Sequence, residues 1–281
     1  MSQILNYTMI DGIKCFSPEV ANDSADFPEN GFDVNDNKVW EQNFFWSSSR
    51  NRLFKRIVYN NLNPTGKTKY LEIGCATGDF IQQIIGNENL EITGSEIYLK
   101  ALIKIQKYFP SVNFIQYDVT KGIIGEQFDI IAAFDVIEHI DNDVEAISNI
   151  NKMLRQGGSL IISVPQHKFL WGKLDEILKH KRRYTRNDLV TKLKENGFDI
   201  IYTTSFLFVL FPLMVISRIL DKGGHPANFD TQDSMALEKR VKFTNALNWI
   251  FDLCMRVDEF LIRIGISLPF GGTLVIIAQK R

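Results

Sequence analysis

The feature that most constrains the fold is an apolar segment that runs directly into a cluster of very small residues. Residues 69–73 have the length and composition of a buried β-strand, and Gly74, Ala76 and Gly78 follow at once. Small residues let the backbone approach a ligand closely, and glycine also accepts positive φ angles. The sequence therefore predicts a strand, a ligand-binding turn and a helix in immediate succession.

Short apolar runs and helix-length amphipathic segments alternate along the chain. Such alternation is typical of a doubly wound α/β fold, in which helices cover both faces of a parallel sheet. A helix is predicted over residues 141–155, with acidic residues in its first turn and Gly157 after its end. A capping box at Thr185 and Asp188 predicts the start of another. Strands are predicted over residues 69–73, 91–95, 112–117, 128–134, 158–164, 199–203 and 273–279.

Four segments are predicted along the chain. Residues 1–62 form an irregular arm and a cover helix, which lies between residues 40 and 61. Residues 63–204 form the core, residues 205–266 a helical insertion and residues 267–281 the last core strand. The insertion is unusually long for a connection in an α/β fold. We therefore expect it to serve as a substrate lid, a dimer face or a membrane contact.

Charge and cysteine content narrow the class of protein. The chain has 32 Lys and Arg against 33 Asp and Glu, so its net charge of -1 disfavours nucleic acid as a partner. Cys15, Cys75 and Cys254 are widely separated and lack the spacing of a zinc site or a redox pair. The N-terminus shows no secretion signal. These observations favour a cytoplasmic protein with free thiols.

The strongest apolar run covers residues 206–216 and is interrupted only by Pro212. A helix that crosses a bilayer needs about 20 apolar residues, so this run is too short. The sequence favours a buried helix or one that faces another subunit, as in a homodimer. The alternative is a helix that rests on a membrane surface, with peripheral contact through residues 205–220.

The glycine turn itself separates two kinds of nucleoside site. A dinucleotide-binding turn, G-x-G-x-x-G, would place its last glycine where Asp79 stands. The observed spacing G-x-A-x-G instead resembles the first motif of class I S-adenosylmethionine methyltransferases, with Glu72 for the commoner Asp and Ala76 for the middle Gly. Glu96 ends the second core strand, 24 residues after Glu72, where a carboxylate can accept hydrogen bonds from both ribose hydroxyls.

Two more motifs follow in the order that this family has them. Asp118 ends the third core strand, and family members use that position to accept a hydrogen bond from the adenine amino group. The segment from Asp135 to His139 resembles the Asp-Val-x-Glu-His segment of methyltransferases related to the ubiquinone-biosynthesis O-methyltransferases. The motifs span residues 69–165. This resemblance implies S-adenosyl-L-methionine as cofactor and a Rossmann-like, seven-stranded, mostly parallel sheet, with an N-terminal helical cover and a helical insertion before the last strand.

Two further segments extend the resemblance. Residues 44–52 and 180–186 are similar to segments of bacterial methyltransferases found with polysaccharide and lipid-glycan assembly enzymes. By this resemblance Arg50 or Arg52 reaches the methionine carboxylate of the cofactor, which a guanidinium can bind bidentately. The alternative for both is a solvated helix face. The cofactor-binding residues implied are Arg50, Arg52, Glu72, Gly74, Cys75, Ala76, Gly78, Phe80, Glu96, Ile97, Asp118, Val119, Phe134 and Asp135.

Methyl transfer from a sulfonium is an in-line displacement, and a hydroxyl acceptor also requires a base. His139 is the best candidate, because it follows the fourth core strand at the carboxyl edge of the sheet. Glu138 would orient it. One alternative is that both residues only cap the next helix. Another is a divalent metal site at Asp135, Glu138 and His139, since related quinone O-methyltransferases bind a divalent ion at a similar cluster.

The segment after the fifth core strand, residues 163–184, mixes aromatic, acidic and basic residues above the same edge. It would suit a polar sugar or a phosphate-linked acceptor, and the alternative for each residue is packing or a solvated surface. The substrate candidates are His167, Trp171, Asp175, His180, Arg182, Arg183 and Tyr184. The sequence thus predicts O-methylation of a small molecule, a sugar or a glycan- or lipid-linked precursor. The alternative function is a non-catalytic cofactor-binding module whose insertion docks a partner or a membrane.

Overall fold

A computed structural model describes residues 3–20, 44–221 and 245–281. The strands within these residues are β1 (Thr8–Ile10), β2 (Ile13–Cys15), β3 (Thr68–Ile73), β4 (Leu90–Glu96), β5 (Asn113–Gln116), β6 (Phe128–Phe134), β7 (Leu154–Pro165), β8 (Phe198–Phe206) and β9 (Thr273–Lys280). The α-helices are α1 (Phe45–Asn60), α2 (Asp79–Ile84), α3 (Leu99–Ile105), α4 (Asp143–Met153), α5 (Lys173–Ile177), α6 (Arg186–Glu195), α7 (Phe211–Asp221) and α8 (Asn245–Arg263).

The strands form one sheet in the order β1-β2-β5-β4-β3-β6-β7-β9-β8. From β5 to β7 all neighbours are parallel, whereas β9 inserts antiparallel between β7 and β8. The predicted α/β fold with a mostly parallel sheet is confirmed. After β3, the chain first adds strands on one side of it, beginning with β4, and later adds β6 on the other side. This reversal opens a crevice at the carboxyl ends of β3, β4 and β6. Open α/β sheets bind their ligands in such a crevice.

The N-terminal arm is more regular than the sequence pattern indicated. The expectation of an irregular arm was wrong for the hairpin of β1 and β2, which is turned by Asp11 and Gly12 at φ values of 49° and 81°. An Asp-Gly pair between apolar residues is a strong hairpin signal. Because β2 pairs in parallel with β5, the hairpin extends the sheet, which within the described residues has nine strands instead of the seven expected. The rest of the arm, residues 21–43, lies outside the described residues.

Local capping signals predicted the helix starts well. Asn142 caps α4 by accepting a hydrogen bond from the Glu145 backbone N–H, so the helix begins two residues later than expected. Thr185 and Asp188 form the predicted capping box at the start of α6. The predicted cover helix is α1, and the part of that prediction before residue 44 lies outside the described residues.

Helix α8 of the insertion packs along α1. Phe45 and Phe251 meet edge to face with ring centroids 5.2 Å apart, and the Phe45 backbone N–H donates to Asn248 Oδ1 at 2.8 Å. Arg52 ties the same two helices together through Glu259. Of the helical insertion predicted over residues 205–266, residues 222–244 lie outside the described part of the chain.

The apolar run after β8 is buried only at its beginning. Phe206 and Leu210 are buried, whereas Leu213, Ile216 and Ile219 on α7 are 54%, 53% and 66% exposed. The expectation of a buried helix was therefore wrong for this face of α7. In the described part of the chain, every helix is too short or too polar to pass through a bilayer.

Candidate functional site

The loop between β3 and α2 is a tight turn that only small residues can form. Gly74, Ala76 and Gly78 have φ values of 69°, 46° and 77°. A Cβ on Gly74 would lie 2.6 Å from Val136 Cγ2, and one on Gly78 would lie 2.8 Å from Phe109 Cε2. Positive φ values and close neighbours both require glycine at these two positions. The turn therefore lies directly against the end of β6.

Glu96, at the end of β4, points its carboxylate at this turn. Its Oε2 accepts from the Ala76 backbone N–H at 3.1 Å, and its Oε1 accepts from the Ile97 N–H at 2.7 Å. Burial raises the pKa of Glu96, while these backbone donors favour the charged form. A carboxylate held in this position can accept hydrogen bonds from a pair of vicinal hydroxyls.

Glu72 lies beneath the turn and is buried. The Tyr70 hydroxyl donates to its Oε2 at 3.2 Å. Burial raises the pKa of Glu72 to about 8, although the positive charge of Arg50 and the Tyr70 hydrogen bond act in the opposite direction. The carboxyl is therefore largely protonated at neutral pH.

Arg50 reaches from α1 to the end of β6. Its Nε donates to Asp135 Oδ2 at 2.9 Å, and its Nη2 donates to the Phe134 carbonyl at 3.3 Å. The Ser163 hydroxyl donates to the other carboxylate oxygen of Asp135, at 2.9 Å. Since Phe54 stacks on Phe134 at 4.1 Å and lies 4.9 Å from the guanidinium carbon, Arg50 is firmly placed at the crevice.

Arg52 has a different environment. Its guanidinium donates to Glu259 and Asp252 on α8, and Asp252 Oδ1 lies 2.7 Å from Nη2. Arg52 also lines a cavity of about 430 Å³ between α1 and α2, together with Asp79 and Gln82. The structure thus brings Arg50, and not Arg52, to the strand ends.

Asp118 stands at the end of β5 and is braced by its own loop. Its Oδ1 accepts from the backbone N–H and the hydroxyl of Thr120, at 2.9 and 2.7 Å. Its backbone N–H donates to Ser17 Oγ at 3.3 Å, and Ser17 in turn is fixed by Gln116. Ser17 was missed by sequence reasoning, and the Asp-Gly turn of the preceding hairpin was the signal that could have placed it here.

The remaining predicted cofactor residues line or support the crevice. The Ile97 N–H holds Glu96, whereas Phe80 and Phe134 meet edge to face at 4.9 Å in the core beneath the turn. Burial raises the pKa of the Cys75 thiol. Val119 is buried, and its carbonyl accepts from Asn149.

Glu138 and His139 lie in a short 3₁₀ helix, Ile137–His139, directly after β6. They do not cap the following helix, because Asn142 does so. Glu138 is fully buried, and neither of its carboxylate oxygens has a hydrogen-bond partner in another described residue. Burial raises its pKa well above the usual range.

His180 joins these two residues from the segment after β7. One ligand atom each from Glu138, His139 and His180 lies within 4.8 Å of the others. Asp135, which the sequence grouped with Glu138 and His139, is instead turned towards Arg50 and Ser163. The geometry therefore does not group the three residues of the alternative metal site, and the cluster that it forms takes an imidazole from a distant segment.

Both imidazoles are oriented through one ring nitrogen. His180 Nδ1 lies 2.8 Å from Asp175 Oδ1, and His139 hydrogen-bonds to the Lys179 backbone carbonyl. Burial and the neighbouring His180 lower the pKa of His139 to about 4, so its ring is neutral at neutral pH. A neutral ring that donates through one nitrogen keeps a lone pair on the other.

Asp175 is the anchor of this segment and is fully buried. Its Oδ1 accepts from Arg183 Nε at 2.7 Å, and its Oδ2 accepts from the Gly172 N–H at 2.9 Å. The hydrogen bonds from His180 and Arg183 lower the pKa of Asp175 to about 2 in spite of burial. Arg183 is thus committed to this contact inside the protein.

Of the other substrate candidates, some bind side chains inside the protein and others lie in the segment after β7. Tyr184 donates to Asp143 Oδ2 at 2.6 Å in the interior, and Arg182 binds the same carboxylate at 3.1 Å. His167 has a φ of 66°, and its Nε2 is buried without a hydrogen-bond partner among the described residues. Trp171 follows the 3₁₀ helix Lys168–Leu170 and is partly exposed.

Similarity to known sequences agrees with this architecture. The family described as a methyltransferase domain matches residues 39–203. A malonyl-[acyl-carrier protein] O-methyltransferase of Ilyobacter polytropus is 25% identical over 150 residues, 50% of this chain and 56% of that protein. The mitochondrial ubiquinone biosynthesis O-methyltransferase of Dictyostelium discoideum is 25% identical over 114 residues, 41% of this chain and 33% of that protein. The chain therefore spans about half or less of the length of these curated relatives.

A solved structure shows the same fold. Phosphoethanolamine N-methyltransferase 2 of Haemonchus contortus, in complex with S-adenosyl-L-methionine, superposes with a TM-score of 0.51 at 15% identity, over 90% of this chain and 61% of that one. Because the family match covers more than half of the chain, the protein belongs to the class I S-adenosylmethionine-dependent methyltransferases.

Proposed function

We propose that the protein methylates a hydroxyl oxygen of a small molecule, a sugar or a glycan- or lipid-linked precursor, and that His139 is the base. The acceptor would lie between the 3₁₀ helix Ile137–His139 and the segment of residues 165–184. The observation that carries this proposal is the place of His139, whose imidazole follows β6 at the carboxyl edge of the sheet and is held through one nitrogen by the Lys179 backbone carbonyl.

The cofactor would lie along the carboxyl ends of β3, β4 and β6. Glu96 would accept hydrogen bonds from the ribose hydroxyls, as the resemblance implies, and the guanidinium of Arg50 would bind the methionine carboxylate at the end of β6. Arg50 Nε, which donates to the Asp135 carboxylate, can then donate to the methionine carboxylate of the cofactor instead. Glu72 lies near the same end of the site, since the charge of Arg50 acts on its pKa.

The reaction needs only alignment and the removal of one proton. S-adenosyl-L-methionine would supply an electrophilic methyl group, which the acceptor oxygen would take in line with the bond to sulfur, and the electron pair of that bond would stay on sulfur. The acceptor proton passes to the free nitrogen of His139. Asp175 and His180 restrict the position of the adjoining loop, which also carries the Lys179 carbonyl that orients His139.

Hydroxyl acceptors are favoured over other classes because the curated relatives reported above are named O-methyltransferases. Turnover would be measured as release of S-adenosylhomocysteine from a panel of catechols, sugars and lipid-linked glycans. His139→Ala should lower kcat by about 10²-fold or more, which is the usual contribution of a general base, without changing the Kd for the cofactor. Val144→Ala, which shortens an exposed side chain on α4, is the control.

Nearly full kcat in His139→Ala would contradict the assignment of the base. The other predicted function, a cofactor-binding module without catalysis, would be supported by tight cofactor binding with no release of product across the whole panel. Isothermal titration with S-adenosylmethionine provides the binding half of that comparison.

A divalent cation is the second way to activate the same hydroxyl, and the residues fit one. Glu138 is a buried carboxylate without a partner in another described residue, and His139 and His180 are oriented from outside as metal-binding histidines are. Glu138, His139 and His180 would hold the cation, which as a Lewis acid would favour ionisation of the hydroxyl. Unchanged turnover and unchanged thermal stability after treatment with EDTA would exclude this route.

A further inference from the structure

Helix α8 exposes a continuous apolar stripe. The stripe is spaced by three or four residues, so its members lie on one face of the helix. They are between 43% and 57% exposed: Leu247, Ile250, Leu253, Val257 and Phe260. The opposite face is inside the protein, where Met255 and Asp258 are fully buried. An exposed apolar surface of this extent marks an interaction site.

Helix α7 adds a second exposed row, formed by Leu213, Ile216 and Ile219. The two helices are fixed to each other at the start of α7. The Asp258 carboxylate of α8 accepts from the backbone N–H groups of Phe208 and Val209, at 2.6 and 3.2 Å. Since Asp258 is buried, this contact is a rigid part of the fold, and the two rows belong to one structural unit.

On α8, the acidic side chains point into the protein and the basic side chains are exposed beside the apolar stripe. Asp252 and Glu259 are turned inwards to bind Arg52, and Asp258 is buried against the start of α7. The exposed charges of α8 are Arg256 and Arg263. Arg256 also contacts Asp252 at 2.9 Å. Each acid described on α8 is therefore already engaged, and the outer face is positive.

We propose that α7 and α8 bind the surface of an anionic lipid bilayer. The apolar rows would enter the boundary between headgroups and acyl chains, and Arg256 and Arg263 would lie beside the lipid phosphates. An amphipathic helix with apolar residues on one face and cationic residues beside them binds in this way. A second copy of the chain fits less well, because its arginines would face these arginines with no exposed acid on α8 to pair them.

Binding through α7 and α8 would also bring the side of the crevice at which the methyl acceptor is proposed to bind close to the bilayer. Phe211 of α7 lies 5.2 Å from the His167 ring and 6.3 Å from the Phe169 ring, both in the segment after β7. A lipid-linked acceptor could then enter from the membrane. This consequence rests on the proposed function, whereas binding to the bilayer does not.

The test is sedimentation of the full chain with vesicles of phosphatidylglycerol and phosphatidylcholine, without acceptor or cofactor. The bound fraction should rise with the anionic lipid and fall at high salt. Leu253→Glu with Phe260→Glu should weaken binding by about tenfold or more. Arg256→Gln with Arg263→Gln should remove the preference for anionic lipid. The matched control is Val144→Glu with Ile201→Glu, two exposed apolar residues elsewhere in the fold.

Cofactor binding by each variant, measured by titration calorimetry, verifies that it is folded. The proposal is overturned if the wild-type protein does not sediment with anionic vesicles, or if the Leu253 and Phe260 variant sediments as well as the control. It is also overturned if the protein is a dimer that this variant dissociates and that does not bind vesicles. None of these outcomes depends on whether methyl transfer to a hydroxyl is the reaction.

Discussion

The two halves of the crevice are built in different ways. The cofactor half consists of the turn from Gly74 to Gly78 and of Glu96, which come from consecutive β–α units and are joined by a hydrogen bond from the Ala76 backbone N–H to the Glu96 carboxylate. The acceptor half joins Glu138 and His139 to His180, which lies some forty residues later and is held by side-chain contacts. The cofactor half is therefore determined by short-range backbone geometry, whereas the acceptor half depends on a loop that folds back over the sheet.

The largest expected effect is in the cofactor half. Gly74→Ala should lower cofactor affinity by at least about 10²-fold and destabilise the fold by about 1–3 kcal/mol, because the new Cβ would meet Val136 in a backbone conformation that disfavours side chains. Titration calorimetry and thermal unfolding measure the two effects. Gly86→Ala is the control, since no atom lies within 4 Å of its added Cβ. Equal behaviour of the two variants would show that the turn is not a rigid element.

An intermediate effect is expected in the acceptor half. Asp175→Asn should lower kcat by about 10–100-fold, because the anchor of His180 and Arg183 is weakened and the loop loses its position. The Kd for the cofactor should stay the same, since Asp175 does not touch the glycine turn. Asp199→Asn, which removes an exposed contact with Arg281, is the control. A parallel loss of cofactor affinity would mean that the two halves are not independent.

Circular dichroism would confirm that the Asp175→Asn variant is folded. His180→Gln tests the same contact from the other side and leaves the buried pair of Asp175 and Arg183 intact. If both variants kept full kcat, the segment of residues 172–184 would have only a structural role.

The smallest effect concerns Glu72. Its pKa is raised to about 8 in the folded protein, from 4.5, so its contribution to stability is present at acid pH and is lost as the pH rises through 8. Glu72→Gln should therefore raise the Tm by a few degrees at pH 8 and change it little at pH 5. Glu88→Gln is the exposed control. A Tm difference that does not depend on pH would disagree with a protonated Glu72.

Much of the fold could be predicted from the sequence, and for a physical reason. The seven predicted strands exist, and the capping box of Thr185 and Asp188 starts its helix as expected. These features depend on residues that are neighbours in the chain. The hairpin around Asp11 and Gly12 was missed because three-residue strands carry almost no periodicity, although the turn itself has a clear signal.

The site divides along the same line. Glu72, the small residues of the turn and Glu96 could be predicted because each ends or follows a recognisable strand. The partner of Arg52 could not, since Glu259 lies 207 residues away and only the packing of α8 on α1 brings the two together. The presence of His180 in place of Asp135 beside Glu138 could not be predicted either, because His180 comes from a segment that is distant in the sequence.

By itself, the sequence determined the parallel sheet and the ligand-binding turn, because small residues at a strand end and alternating hydrophobicity act over short distances, whereas the cofactor class followed from the resemblance of its motifs to those of a family. Only the tertiary structure decided that Glu138 is buried without a partner in another described residue, that Asp175 orients His180, and that α8 turns its acids inwards and its arginines outwards. Burial and charge pairing depend on contacts between segments far apart in the chain, and these contacts exist only once the helices have packed.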